Sequence, residues 1–433
     1  MPFKKHKTTI ERLDKGSRVL FIDIDNASTF SFDIIVRAGW RFAEKNTSEV
    51  AHLLEHVAFG GCKTYPNDEE LMYQIERNGA LQNASTTADL INYYYRANLD
   101  EVERIVEIAM QQFTEPLYKE ETIKHEKESV LVELSNRLEQ DSDRCFNQMQ
   151  TRVFGDNYTS YEAGIKSLEN IDRDVIVKYW KDNFDPQNIQ FILSGNFSDS
   201  LKSKLLEILN TWLNKLEVNS NKNIYIPNKL ADFNSKIDIL DTPHNATEEF
   251  IFAWIWPELH LEELPVLKLI DSILTGGMAS VLYTAARKAG LTYSIFTDTG
   301  TNIDSTGFYI VDSVVPEKTT ELLKLAIKQA DRVFRGNFSE QDLLRAKGFL
   351  TGSCSRNLQL PQHFSNWYAS DFVFERDLRT PEEFNLLIES ATVDDIVGIA
   401  QKRLTDSHWY LSLVSNKSES ELDEVKELAL KLR

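Results

Sequence analysis

The residues of this chain best suited to chemistry are two histidines that bracket a glutamate, in the segment His52-Leu53-Leu54-Glu55-His56. Residues four apart lie on one face of a helix, so His52 and His56 can offer two imidazoles to one metal ion. Glu55 lies beside them, close enough to take a proton from a water molecule that the ion activates. The motif supplies two ligands and a base, and a third ligand has to come from elsewhere.

A simpler interpretation is a helix with two surface histidines and an ordinary hydrogen bond between residues three apart. The flanking residues argue against it, because they are apolar and predict a helix at least half buried. They are Val50, Leu53, Leu54, Val57 and Phe59. Burying two histidines and a carboxylate without a partner is costly, so the sequence favours metal binding.

A long charged helix predicted over residues 119–140 offers candidates for the third ligand. Glu126 and Glu133 are seven residues apart, which is two helical turns and therefore one face. Glutamates on a helix are often ordinary solvated charge, and spacing alone does not decide whether either one reaches a metal.

Strand and helix patterns alternate around these residues and indicate an α+β domain. Strands are predicted at 18–24, 31–38, 91–97 and 189–195, and helices at 48–60, 100–116, 119–140 and 198–215. Residues 216–236 are rich in Asn, Lys and Ser and are predicted to be a linker.

Beyond the linker the pattern begins again. The pairs Gly60-Gly61 and Gly276-Gly277 lie 216 positions apart, and the similar segments that start at Lys127 and Lys347 lie 220 apart. Two matches in one order predict an internal duplication. We expect two similar α+β domains, 1–215 and 237–433, each an antiparallel-rich sheet packed with helices.

The duplication also compares the two halves directly. At the offset of 216, His52, Glu55 and His56 correspond to Lys268, Asp271 and Ser272. At the offset of 220, Glu126 and Glu133 correspond to Ala346 and Ser353. The residue types that bind metal are confined to the first half, which predicts a catalytic first domain and a non-catalytic second domain.

Composition limits the partners and the compartment. A net charge of −19 argues against nucleic acid and against an anionic membrane surface. No signal peptide and no apolar run of membrane-spanning length is indicated. Cys62, Cys145 and Cys354 are odd in number and widely spaced, which favours free thiols in a reducing cytoplasm.

Three segments together resemble the pitrilysin and insulinase family of inverted-motif zinc peptidases, especially its half-length members such as mitochondrial processing peptidase subunits and their bacterial relatives. The segments are HLLEHVAFGG, NGALQNASTTADLINYYYRA and EKESVLVEL, with 77 positions between His56 and Glu133. The resemblance implies one zinc ion per chain, bound by His52, His56 and Glu133, with Glu55 as general base and Glu126 supporting the site. It also implies that the chain forms half of a clamshell chamber.

The same resemblance implies how a peptide substrate is held. Asn83 and Ala84 match the edge strand that binds substrate, and an extended peptide can add to such an edge through main-chain hydrogen bonds. Phe59 would line the pocket near the scissile bond, although a core aromatic is an equal interpretation. The function expected is a zinc-dependent endopeptidase that cuts peptides or short unfolded segments inside a chamber formed by two chains.

The second half departs from the family pattern at one position. Tyr293 matches a tyrosine that contacts substrate, but seven residues before it stands Ala286 instead of arginine, and the nearest arginine is Arg287. Either the guanidinium comes from a shifted position or the chain lacks it. A homodimer or a heterodimer with a related subunit is therefore expected. One alternative is a subunit of a dedicated peptide-maturation protease with a dissimilar partner. The other is a non-catalytic peptide-binding subunit, and the intact ligand set argues against this second alternative.

Overall fold

The computed structural model describes residues 3–218, 230–231, 235–242, 246–257, 260–303, 305–405 and 408–432. Within these residues the chain forms two mixed α/β units, each with one sheet and eight α-helices. The predicted α+β class with two antiparallel-rich sheets is confirmed.

The first sheet has six strands, and the four inner ones are rich in β-branched and aromatic residues, which suit a pleated, buried surface. They are β1 (His6–Arg12), β2 (Arg18–Ile24), β3 (Thr29–Val36), β4 (Leu81–Thr86), β5 (Ile91–Asn98) and β6 (Ile189–Gly195). Their spatial order is β1-β2-β6-β3-β5-β4, and only the β2–β6 pair is parallel. β4 is consequently an edge strand.

Among the described residues, the second sheet repeats this arrangement without a counterpart of β1. Its strands are β7 (Lys236–Leu240), β8 (Glu248–Trp256), β9 (Phe296–Thr301), β10 (Thr306–Val314) and β11 (Trp409–Val414). Their order is β7-β11-β8-β10-β9, with β7 and β11 parallel. The five strands therefore correspond one by one to β2, β6, β3, β5 and β4, as expected of a duplication.

The helices also fall into two series of eight. The first series is α1 (Val50–Val57), α2 (Asp68–Glu76), α3 (Val102–Thr114), α4 (Glu120–Glu139), α5 (Asp141–Phe154), α6 (Tyr161–Leu168), α7 (Arg173–Asn183) and α8 (Asp199–Leu213). The second is α9 (Leu264–Thr275), α10 (Val281–Lys288), α11 (Thr319–Phe334), α12 (Glu340–Asn357), α13 (Pro361–Val373), α14 (Pro381–Ser390), α15 (Val393–Ala400) and α16 (Asp423–Leu430).

One helix of each series packs on the sheet of the other half. Phe364, Tyr368 and Phe372 of α13 lie against the face of the first sheet that carries Leu20 and Ile192. Reciprocally, α5 places Cys145, Met149 and Val153 against the second sheet. The opposite face of each sheet is covered by helices of its own half. This exchange explains why every residue of β6 is buried.

The predicted division into residues 1–215 and 237–433 stays a prediction, and most of the predicted linker, 216–236, lies outside the described residues. Among the helices that are described, none is long and apolar enough to cross a membrane.

Candidate metal centre

Helix α1 presents the two histidines on one side and its apolar residues on the other. Leu53, Leu54 and Val57 are buried in the first core, while His52 and His56 are only partly buried. The imidazole ring centroids are 4.9 Å apart and the rings are nearly perpendicular. Two nitrogens therefore face the same space, as the four-residue spacing predicts.

Helix α4 brings Glu133 to these histidines. Glu133 Oε2 lies 3.5 Å from His52 Nε2 and 3.8 Å from His56 Nε2. One potential ligand atom from each of these three residues lies within 4.8 Å of the others, and we refer to the three as the metal group. The second carboxylate oxygen, Oε1, accepts a hydrogen bond of 2.7 Å from Arg137 Nη2, so Oε2 alone faces the histidines.

A carboxylate holds the outer nitrogen of each imidazole. His52 donates its Nδ1–H to Glu49 Oε2, and His56 donates its own to Glu126 Oε2, both at 3.1 Å. A carboxylate accepts here, so these contacts place a ring proton on Nδ1 of each imidazole, and Nε2 is the nitrogen that faces the shared space.

The electrostatics show that this space is arranged for a cation. Burial lowers the pKa of His52, but the hydrogen bonds that its ring donates to Glu133 and Glu49 outweigh burial and raise the pKa to about 10. The hydrogen bond from His52, against the opposing effect of burial, holds the pKa of Glu133 down at about 2. The carboxylates therefore strongly favour positive charge between them.

The donor set fits zinc. Zinc bonds of about 2.0–2.1 Å in tetrahedral geometry place neighbouring ligand atoms roughly 3.3–3.4 Å apart, close to the separation of His52 Nε2 and Glu133 Oε2. Catalytic zinc sites have three protein ligands and keep a fourth position open. Two imidazoles and one carboxylate on a partly exposed surface match that pattern.

Glu55 lies outside the metal group. Its side chain is only 9% exposed, and its carboxylate accepts a hydrogen bond from the Thr86 hydroxyl at the end of β4. The structure therefore places Glu55 between α1 and the edge strand on which a substrate is expected.

The predicted substrate residues lie on or near that edge. Asn83 and Ala84 are in the middle of β4, with Asn83 exposed and Ala84 buried. Phe59 follows α1 and is partly buried, with its ring centroid 6.4 Å from that of Tyr93. Because Phe59 packs against the first core, the structure keeps both of its interpretations open.

A cavity of about 380 Å³ adjoins His52. Thr86, Thr87 and Ala88 line it where β4 ends, and Asn302 contributes from the second half. Its aromatic wall consists of Trp40, Phe146, Phe154, Tyr158 and Tyr161. A larger cavity, of about 590 Å³, lies between α4 and α6 and contains none of the metal group.

The two positions of interest in the second half lie apart from the metal group. Tyr293 is in the segment between α10 and β9 and is 72% exposed. Ala286 is completely buried in the second core, whereas Arg287 is exposed. An arginine at position 286 would have to enter that core, so the exposed guanidinium of this segment belongs to Arg287.

Three residues around the metal group were not singled out from the sequence. Glu49 and Arg137 form helical contacts three and four residues from His52 and Glu133, which is the spacing of ordinary surface ion pairs. Thr86 reaches Glu55 only through the fold. The one feature that could have pointed to Thr86 is its position at the end of a strand that faces the motif.

Comparison with known proteins identifies the family. The family model described as insulinase (peptidase family M16) matches residues 18–162, and the model described as peptidase M16 inactive domain matches residues 170–350. The two matches together cover most of the chain. The chain belongs to the insulinase family, peptidase family M16, and the resemblance seen in the sequence is confirmed.

Individual relatives match over nearly the whole chain. An uncharacterized zinc protease of Rickettsia felis is 23% identical over 92% of this chain and 95% of its own length. The mitochondrial-processing peptidase subunit beta of Neurospora crassa is 21% identical over 95% of this chain and 88% of its own. The crystal structure of a protease from Helicobacter pylori shares the fold, with a TM-score of 0.85, 18% identity, and coverage of 96% of this chain and all of that one.

Proposed function

We propose that this chain is a zinc-dependent endopeptidase that cuts peptides or short unfolded segments. The observation that carries the proposal is the convergence of His52 Nε2, His56 Nε2 and Glu133 Oε2, with each imidazole held by a carboxylate on its far side. A group of histidines and acids with only a surface role has no reason to direct these three atoms at one space. Family membership and the names of the relatives support a peptidase.

In this proposal each chain binds one zinc ion through His52, His56 and Glu133. Bound zinc acts as a Lewis acid and lowers the pKa of its water towards about 7. Arg137 occupies the second oxygen of Glu133 and so leaves a single oxygen for the metal. Glu126 orients His56 through its Nδ1–H.

Glu55 is the proposed general base. It takes a proton from the water that attacks the peptide carbonyl carbon, and it returns this proton to the amine nitrogen when the C–N bond breaks. The Thr86 hydroxyl holds the carboxylate in place between α1 and β4. Since Glu55 is nearly buried, the carboxylate has few other orientations available.

The substrate is proposed to add to the free edge of β4 as an extended strand. Main-chain groups at Asn83 and Ala84 would bind its backbone, which gives affinity with loose sequence preference. The aromatic cavity beside His52 lies at the end of the same strand, and Phe59 lies next to α1. An edge strand that ends beside a metal group is a suitable arrangement for cutting an extended peptide.

The second half is proposed to be the non-catalytic wall of a chamber completed by a second chain. Lys268 and Ser272 replace the histidines, and the match to the inactive-domain model supports this role. Tyr293 is proposed to contact substrate only when the chamber is assembled, which agrees with its exposure. A cytoplasmic location is part of the same proposal.

A second candidate is a dedicated maturation protease with a dissimilar partner. Two observations favour it. A buried alanine, Ala286, stands where the family pattern has an exposed arginine, and the chain is similar to a protein named as a subunit. The partner would then supply the missing guanidinium. In a third candidate, a non-catalytic peptide-binding subunit, the chain would bind peptide and leave it intact.

Metal analysis combined with a cleavage assay distinguishes these candidates. Purified chain should contain close to one zinc, and a mixed peptide library should be cut by the chain alone or by the chain with a co-purifying partner, in each case only without chelator. Cleavage that needs the partner favours the maturation protease. Absence of zinc after gentle purification, with no rebinding, would refute a zinc peptidase.

A further inference from the structure

We propose that Glu49 is a positioning residue for the metal group, which fixes the ring of His52 by accepting its Nδ1–H. The inference rests on the proposed zinc function and assigns a residue that neither the motif nor the spacing from His56 to Glu133 identifies. In this proposal Glu49 supports His52 in the same way that Glu126 supports His56.

The geometry of the two histidines is symmetrical. In both, Nδ1 lies 3.1 Å from a carboxylate oxygen and Nε2 points to Glu133 Oε2. Without a partner for Nδ1, an imidazole can rotate and can carry its proton on Nε2, the nitrogen needed for the metal. A carboxylate at the outer nitrogen holds the ring in place, keeps a proton on Nδ1 so that Nε2 is the nitrogen offered to a metal, and raises the basicity of the ligand.

Glu49 is itself held in place. Its backbone N–H donates to Ser167 Oγ at 3.1 Å, and its carbonyl accepts the first backbone hydrogen bond of α1 from Leu53. Its side chain is 15% exposed and lies against Gly164 of α6. A Cβ at position 164 would come within 2.5 Å of Glu49 Oε1, so the carboxylate occupies a space that only glycine leaves free.

The second half supports a role tied to the histidines. At the offset of 216, Glu49 corresponds to Pro265 in the first turn of α9, where Lys268 replaces His52. A proline side chain can accept no hydrogen bond. The carboxylate is therefore present in the half that has the histidine and absent from the half that lacks it.

Zinc titration of the metal-free full-length chain tests the proposal. Replacing a residue that supports a ligand typically lowers metal affinity 10–100-fold. We expect a loss of about 10-fold for Glu49→Gln, which keeps an acceptor, and nearer 100-fold for Glu49→Ala. Gly164→Ala keeps every carboxylate but displaces that of Glu49, so a loss of about 10-fold is expected there too. With cobalt in place of zinc, the visible absorption bands should shift in all three variants, because the geometry at His52 changes.

Two matched controls separate positioning from general stability. Glu120→Gln removes an acid from the first turn of α4 without touching a histidine, and Gly348→Ala adds a Cβ to a helix where nothing lies within 4 Å. Both should leave zinc affinity and the cobalt spectrum unchanged, and thermal unfolding of each metal-free variant checks the fold.

The outcomes separate this proposal from the proposed function. Wild-type zinc binding with unchanged affinity in Glu49→Ala and Gly164→Ala would overturn the positioning role and leave the zinc peptidase intact. Failure of the wild-type chain to bind zinc would overturn both.

Discussion

The metal group of the first half and the matching region of the second half share one scaffold and differ in what it holds. In the first, Thr86 of β4 donates to Glu55 of α1; in the second, Thr299 of β9 donates to Asp271 of α9 at 2.7 Å. The strand register places the two threonines at equivalent positions. Thr86 lies in one row of paired residues with Ile91, Val36 and Ile189, and Thr299 lies in another with Phe308, Trp254 and Trp409. Ile189 and Trp409 are the first residues of the corresponding strands β6 and β11. The acid–threonine pair therefore belongs to the duplicated fold.

The difference lies in the cation that each region accepts. Lys268 stands in place of His52, and its ammonium contacts Asp298 at 2.9 Å and Asp271 at 3.9 Å. Ser272 replaces His56 and donates to the carbonyl of Ala346, the counterpart of Glu126. The positive charge of the second region is therefore the ammonium of Lys268, which is part of the chain. The first region instead has side chains suited to binding an exchangeable metal ion. The position of Glu55 is therefore a property of the duplicated fold, and the proposed catalysis depends on the ligands around it.

The largest expected effect is on the rate of peptide cleavage, and it should distinguish Glu55 from Asp271. Glu55→Gln should lower peptide cleavage by about 10²–10⁴-fold, the usual contribution of a general base, while zinc content stays near that of the wild type. Asp271→Asn, the matched change in the second half, should alter cleavage by no more than about twofold, since it is remote from the metal group. Turnover retained in Glu55→Gln would remove Glu55 from the base role.

The next effect concerns the third ligand and its counterpart. Glu133→Gln should lower zinc affinity at least about 100-fold, beyond the range for residues that only support a ligand. Ser353→Ala, at the corresponding position, should leave it unchanged. Chelator competition measures both, and equal affinity in the two variants would mean that Glu133 is not a ligand.

A smaller effect should distinguish the two threonines. Thr86→Val removes the donor to Glu55, and loss of one hydrogen bond to a carboxylate, about 1.5–3 kcal/mol, corresponds to roughly a 10–100-fold lower kcat. KM should change little, because the edge of β4 stays intact. Thr299→Val should leave kcat unchanged and lower only stability. A matching loss of kcat in Thr299→Val would show that the halves are not divided as proposed.

The smallest effect is a pH dependence of stability confined to the second region. Burial, opposed by the charge of Lys268, raises the pKa of Asp271 from 3.8 to about 7. The folded chain therefore retains a proton that the unfolded chain loses, so this group contributes its full stability below about pH 4 and loses it as pH rises towards 7.

Asp271→Asn should abolish this dependence. From pH 5 to pH 8 the stability of the variant relative to wild type should improve by about 1–3 kcal/mol, since one pKa unit corresponds to about 1.4 kcal/mol. Urea unfolding at both pH values measures the change. Glu321→Gln, at an exposed carboxylate in the first turn of α11, is the control and should keep the wild-type profile.

Local patterns were enough to predict much of the fold. β2 and β6 have their predicted limits, and α3 and α4 differ from prediction by one or two residues at each end, because continuous apolar runs and helical periodicity are local properties. The exchange of α5 and α13 was not predictable, since an apolar helix face does not identify the sheet that receives it.

The candidate site was predictable in its ligands and not in their support. The spacing of His52 and His56 is a helical property, but spacing alone left Glu126 and Glu133 equivalent, and the resemblance separated them. Only the packing of α4 on α1 shows one beside Nδ1 and the other beside Nε2. Glu49 was missed because an acid at the start of a helix is ordinarily explained by the helix dipole.

The exchanged helices have a consequence for how the chain is made. A ribosome that has synthesised residue 218 has released every residue of the metal group, yet α13, which covers Leu20 and Ile192, begins only at Pro361. In addition, α5 directly follows α4, the helix that carries Glu133, and the second sheet, on which α5 packs, is synthesised later. We expect the metal group to reach its final arrangement only after α13 has been synthesised, and we expect the two halves to stabilise each other because each covers a sheet of the other.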